Sequence, residues 1–125
     1  LRPYIKEFHG PVKLDFYPAK LASLNLDLAL APLEYSHFNE AKSALKILEY
    51  GVLGYPVICT DITTYQGDFP VTRVPNKPQE WIDAIRDAIS DRDSLSTNGD
   101  ALRNHIQSHW MLEENLDKWL DAWLP

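Results

Sequence analysis

Lys42, Ser43, Lys46 and Glu49 fall within one short run, KSALKILE, whose spacing suits a single helix. A helix beginning at Ser43 leaves the amides of Ala44 and Leu45 without intrahelical partners. Its dipole adds roughly half a positive charge at that end, and Lys42 and Lys46 add full charges. Amides and ammonium groups gathered at a helix start form a cradle for a diphosphate. Glu49 has a different use, because a carboxylate accepts hydrogen bonds from ribose hydroxyls. Each residue also has a plainer reading. Ser43 and the lysines suit an ordinary solvated helix start, and Glu49 suits a surface ion pair with Lys46 or Arg73 worth ~0–1 kcal/mol.

Several elements must position these groups. Tyr4–Phe8 alternates like a short strand and is closed by His9-Gly10-Pro11. Phe16–Leu24 has helical spacing, with Pro18 in the first turn and Asn25 as a stop. Leu26–Ala31 is apolar almost throughout and halts at Pro32, the pattern of a strand buried on both faces. Glu34–Asn39 reads as a polar and aromatic loop. Ser43 then caps the helix whose apolar stripe is Leu45, Leu48 and Val52, with Gly51 and Gly54 allowing its end. Pro56–Thr60 is a second buried strand, Asp61–Phe69 a loop, and Val71–Val74 an edge strand.

Asn76-Lys77-Pro78 opens a further helix carrying Trp81, Ile82, Ile85 and Ile89, with Asn76 as cap. Asp91–Gly99 reads as a turn-rich break before helices at Asp100–His109 and Leu112–Leu124. Strands alternating with helices give an α/β, Rossmann-like parallel sheet with flanking helices, followed by a helical C-terminal tail. The division expected within this single domain is an α/β core over 1–78 and a helical appendage over 79–125.

At 125 residues, 45% of them hydrophobic and 24% charged, the chain is long enough for one well-cored domain. A net charge of −6 without a basic stripe argues against sequence-independent binding to nucleic acid or to an anionic membrane. The single cysteine, Cys59, lies in an apolar run, which removes a disulfide framework and fits a reducing compartment. No apolar stretch approaches the length of a bilayer span.

The run from Leu26 to Asp61 resembles the donor-binding half of GT-B glycosyltransferases of the large retaining group-1 class. The resemblance rests on a strand ending in Ala31-Pro32-Leu33, then Lys42, Ser43, Lys46, Glu49 and Tyr50 in the pattern Lys-Ser-x-x-Lys-x-x-Glu-Tyr, then Gly54, Pro56 and Val57. Phe8-His9-Gly10-Pro11-Val12 is similar to the turn preceding this unit in that family, and Asp91–Leu124 to its closing helices. The Lys-Ser and Glu-Tyr forms resemble O-antigen and other cell-surface polysaccharide enzymes.

That resemblance implies a hexosyl transfer from a nucleotide diphosphate sugar to a glycan acceptor, with neither metal nor cofactor required. It implies that Glu49 binds the ribose and that Lys42, Ser43 and the Ala44 amide meet the diphosphate and sugar, beside the charge of Lys46. Backbone around Gly10 and Val12 would hold the base. Apart from the resemblance, His37, in the loop after Leu33, either faces the site to meet sugar or acceptor or is an ordinary loop histidine in water. The family commonly carries a second glutamate where this chain has Ala41, so no catalytic residue is assigned. It also has an acceptor domain and two further strand–helix units ahead of Tyr4–Phe8. The chain therefore reads as a C-terminal fragment, inactive alone, of a cytoplasmic enzyme that works at the inner face of the membrane. In the usual 3-2-1-4-5-6 strand order the missing pair separates Tyr4–Phe8 from Leu26–Ala31. The fragment must then expose an edge, pair those two strands directly, or borrow a strand from a second copy, and a dimer or a rearranged first strand is expected. A non-catalytic nucleotide-binding or interaction module on the same fold is the alternative.

Other groups carry weaker signals. His105 and His109 stand four apart on a helix, with Glu113 one further turn on, a spacing usable by a metal, yet no cysteine or third histidine is placed to complete a site. Asp61 ends a strand at the same sheet edge, where an Asp commonly begins a turn. Trp119 and Trp123 read as core packing, and Trp110 as the end of its helix.

Overall fold

The computed structural model describes residues 2–124. Its centre is a parallel sheet of three strands in the order β1-β2-β3, formed by Ala29–Ala31, Val57–Thr60 and Thr72–Val74. The register pairs Ala31 with Cys59 and Cys59 with Arg73. The chain is thus α/β, with helices flanking the sheet and a helical tail.

Helix α1, Tyr17–Ala22, precedes the sheet, and the turn after it passes through Asn25, whose φ of 47° lies in the left-handed region that Asn tolerates. The connection from β1 to β2 holds a one-turn helix α2, His37–Glu40, and then α3, Leu45–Val52. Ser36 caps α2 by accepting from the Asn39 amide at 3.2 Å, so the expected Glu34–Asn39 loop is partly helical. The connection from β2 to β3 contains only a single 3₁₀ turn at Thr63–Tyr65. Helices α4, Pro78–Ser90, and α5, Arg92–His109, follow, and a last helix α6 covers Leu116–Trp123.

The core forms where α3 and α5 meet the sheet. Ile47 and Leu102 are fully buried there, with Ala29, Ala31, Val57, Cys59 and Ile106 around them. Burial of this kind contributes about 1.5–3 kcal/mol per large aliphatic side chain. Burial also pushes the Cys59 thiol up to about 11, which makes it a core residue rather than a nucleophile.

The structure corrects several expectations. Tyr4–Phe8 is not a strand: a 3₁₀ turn at Arg2–Tyr4 leads into irregular chain with Tyr4 and Phe8 exposed. A strand needs a neighbour for its amides and carbonyls, and this segment pairs with none. β1 accordingly remains a free edge among the described residues. It is also not buried on both faces, since Leu30 is 42% exposed between two buried alanines.

The apolar stripe of α3 is turned from its expected position. Ile47 and Gly51 face the core, while Leu45 and Val52 are exposed. Two glycines explain how closely α5 approaches. A Cβ on Gly51 would lie 2.3 Å from the Ile106 side chain, and one on Gly99 would lie 2.2 Å from the Gly54 carbonyl oxygen. Gly99 is therefore a contact point inside a continuous helix, and Asp91–Gly99 is not a break. Asp91 starts that helix by accepting from the amides of Asp93 and Ser94 at 3.1 and 3.0 Å. Helix α5 belongs to the core rather than to an appendage. Trp110 does end it, as expected.

Pro78 takes the first turn of α4, but the cap residue is Lys77, because the Asn76 side chain is used elsewhere. Ile82 and Ile89 of that helix are exposed while Trp81 and Ile85 are half-buried. The tail differs most. Leu112–Leu124 divides into a 3₁₀ turn at Glu113–Asn115 and α6, and Trp119 and Trp123 are exposed instead of packed in the core. No helix is long and apolar enough to cross a membrane among the described residues.

Candidate functional site

Pro32 ends β1 because it has no amide to donate to a ladder. The chain then turns away over the carboxyl edge of the sheet, and a polar network holds it there. Thr60, fully buried at the end of β2, accepts from the Leu33 amide at 2.8 Å and donates to Asn76 Oδ1 at 2.9 Å. Asn76 Nδ2 donates back to the Leu33 carbonyl at 2.8 Å, and the Asn76 amide donates to the Tyr35 hydroxyl at 3.3 Å. Farther on, Asn39 Nδ2 donates to the Glu34 carbonyl at 2.8 Å, and the Thr64 hydroxyl donates to the Asn39 carbonyl. These bonds tie the β1–α2 loop to the ends of β2 and β3.

The fixed loop and the start of α3 enclose a cleft of about 470 Å³. Leu30, Ala31, Pro32 and Leu33 form one wall, Lys42, Ser43, Leu45 and Lys46 the other, and Tyr50 and Tyr65 also line it. The sequence-predicted Lys42, Ser43 and Lys46 thus come together beside the strand end. Both charged residues in the lining are cations. The Lys42 ammonium sits 4.6 Å from the centroid of the Phe38 ring and pairs with no carboxylate among the described residues. Burial raises the pKa of both Tyr50 and Tyr65, so each remains a neutral phenol at physiological pH.

Helix α3 begins one residue later than expected, with Ala44 as its cap and no side-chain capping bond from Ser43. The Ala44 carbonyl takes the amides of Ile47 and Leu48, at 2.9 and 3.2 Å. The amides of Leu45 and Lys46 are left over at the helix start, beside the cleft.

Glu49 is placed next to this cleft rather than in its lining. Its Oε2 accepts from Tyr17 Oη at 3.0 Å and from Lys46 Nζ at 2.9 Å, and Lys46 also donates to the Tyr17 oxygen at 3.0 Å. Burial works against the charge on Lys46, but its bonds to Glu49 and Tyr17 outweigh that and raise its pKa. The ion-pair partner is Lys46 and not Arg73, which donates to the carbonyls of Tyr65 and Gly67 at 2.7 and 3.1 Å.

Besides Glu49, four predicted residues do not line the cleft: Ala44, which only caps α3, and Gly10, Val12 and His37. Gly10 and Val12 lie in the irregular N-terminal segment, exposed and outside the lining, because the strand expected to carry them does not form. His37 starts α2 with its side chain in solvent, 3.6 Å from Glu40, and does not face the cleft. Ala41 ends α2, and no carboxylate replaces it in the lining. Asp61 is exposed and accepts from Gln66 Nε2 at 2.5 Å, a turn role.

Tyr17 is the residue that sequence reading missed. It lies far from Glu49 along the chain, and no local spacing connects them. A larger cleft of about 580 Å³ lies among Asp68, His109, Trp110 and Trp119, but contains none of the residues expected at the nucleotide site. Nearby, His105 stacks on His109 with centroids 4.7 Å apart. His105 Nε2 is 3.4 Å from Asp68 Oδ1 and makes no hydrogen bond among the described residues. No group of three or more potential metal ligands is present among the described residues.

Comparison with protein-family models, with curated proteins and with solved structures finds no match for this chain.

Proposed function

We propose that this chain is the nucleotide-sugar-binding part of a GT-B, group-1 glycosyltransferase that acts in polysaccharide or O-antigen biosynthesis. The observation that carries the reading is the cleft at the end of β1, where Lys42, Ser43 and Lys46 gather beside the free amides of α3. A cationic, carboxylate-free cleft at the carboxyl edge of a parallel sheet suits a diphosphate. Its neighbour Glu49 suits the attached ribose.

In this reading the protein's contribution is electrostatic. Negative charge builds on the leaving diphosphate as the glycosidic bond breaks, and fixed amides with two ammonium groups stabilise it. The sugar passes to a hydroxyl of a glycan acceptor held by another part of the enzyme, with retention of configuration. The enzyme works in the cytoplasm at the inner face of the membrane.

Calorimetric titration of the intact protein with a panel of nucleotide sugars tests the reading. One of them should bind, and Lys42→Ala should weaken that binding and slow transfer at least tenfold, since a charge-assisted bond to phosphate is worth about 1.5–3 kcal/mol. Unchanged binding and rate would remove the diphosphate role. A second reading, a nucleotide-binding module without catalysis, is favoured by Ala41 standing where a carboxylate is expected. Binding with no transfer to any acceptor would select it.

A further inference from the structure

We infer that Tyr17 is a positioning residue for nucleotide recognition: with Lys46 it saturates Glu49 Oε2 and leaves Oε1 to meet a ribose. This inference rests on the preceding reading and adds to it the residue that aims the carboxylate.

The bonds have one consistent direction. Glu49, when ionised, only accepts, so both Tyr17 and Lys46 donate to Oε2, at 3.0 and 2.9 Å. Lys46 donates its second hydrogen to the Tyr17 oxygen at 3.0 Å, which commits the phenolic hydrogen to Glu49. Oε1 has no hydrogen-bond partner among the described residues, and the side chain keeps 21% of its surface exposed. The carboxylate therefore offers one free oxygen in a fixed direction, rather than two oxygens free to rotate.

Helix α1 is itself held in place. The Tyr55 hydroxyl is 3.1 Å from the carbonyls of both Leu21 and Ala22, and Leu21 is buried in the core. Tyr17 packs against the same core. The helix is thus anchored at its C-terminal end while its N-terminal end holds Glu49. Lys46 has a third hydrogen and lines the cleft, so one side chain touches both the carboxylate and the space assigned to the diphosphate. An adaptation of this kind lowers the ordering cost of binding.

Calorimetry on the intact protein would compare uridine, guanosine and adenosine diphosphates with their 2′-deoxy forms. The unsubstituted protein should prefer a ribonucleotide, and Glu49→Gln should abolish that preference. Tyr17→Phe keeps the ring in the core and should weaken the ribonucleotide roughly 3–10-fold, the worth of one hydrogen bond, with the deoxy form unaffected. Circular dichroism of each variant verifies folding. If Glu49→Gln abolishes the preference and Tyr17→Phe leaves it intact, Tyr17 is only structural and the inference is overturned. If no diphosphate binds, or Glu49→Gln changes nothing, the underlying site reading fails, and the inference with it.

Discussion

Thr60→Val removes one hydroxyl from the centre of the polar network while keeping the shape of the side chain. Thr60 has no exposed surface, so water does not replace what is lost there. The Leu33 amide, 2.8 Å from that hydroxyl, becomes an unpaired, half-buried donor. Such a group costs about 1–3 kcal/mol. Asn76 Oδ1 loses its donor too, but Asn76 is exposed and recovers much of that bond from solvent. The expected loss is about 2 kcal/mol, or a fall in Tm of roughly 6–10 °C for a domain of this size. Urea titration with an unchanged slope would measure it. Thr60→Ser separates packing from bonding: it keeps the hydroxyl, loses one buried methyl and should cost about 1 kcal/mol. A Thr60→Val loss below about 0.5 kcal/mol would refute the claim that this network fixes the β1–α2 loop. Its functional counterpart is a weaker wall at Pro32 and Leu33 of the cleft.

Two other outcomes bear on the same fold. Gly99→Ala should gain up to ~1 kcal/mol of helix propensity but lose about 1–3 kcal/mol by overpacking, since the Gly54 carbonyl is backbone and does not swing aside; a stabilised variant in urea would disprove the close approach. Asp91→Ala should lower the urea midpoint at neutral pH through loss of the α5 cap. The Ser94 amide and hydroxyl, with the Asp93 amide, hold the Asp91 carboxyl below its ordinary value. Its contribution is therefore complete above the unfolded pKa of about 3.9 and fades as pH falls through the lower folded value. The gap between the two proteins should narrow as pH falls through that acid range, and a gap that stays constant there would contradict the cap assignment.

The element types at the centre of the chain were legible because each has a strong local cause. Pro32 and Pro56 bracket strands, Pro78 opens a helix, and the apolar run at Pro56–Thr60 is short and β-branched. Other local signals misled. Asp91–Gly99 has the composition of a turn, yet Asp91 caps a helix through it, and the glycine in its interior is explained by the neighbouring Gly54 carbonyl. Tyr4–Phe8 has the alternation of a strand but no partner, and pairing is not a local property.

For the site, residue chemistry and spacing alone set Lys42 just before a helix and Lys46 and Glu49 along it, after a strand that ends at Pro32. Those are consequences of period, charge and cap, all carried by neighbours in sequence. Tertiary structure decided which of them share a cavity, that Gly10, Val12 and His37 stay outside it, and that Glu49 is held by Tyr17. Such contacts depend on how α1, α3 and α5 pack against the sheet. Packing depends on shape across distant segments, so Ile47 rather than Leu45 faces the core, and Tyr17 reaches Glu49.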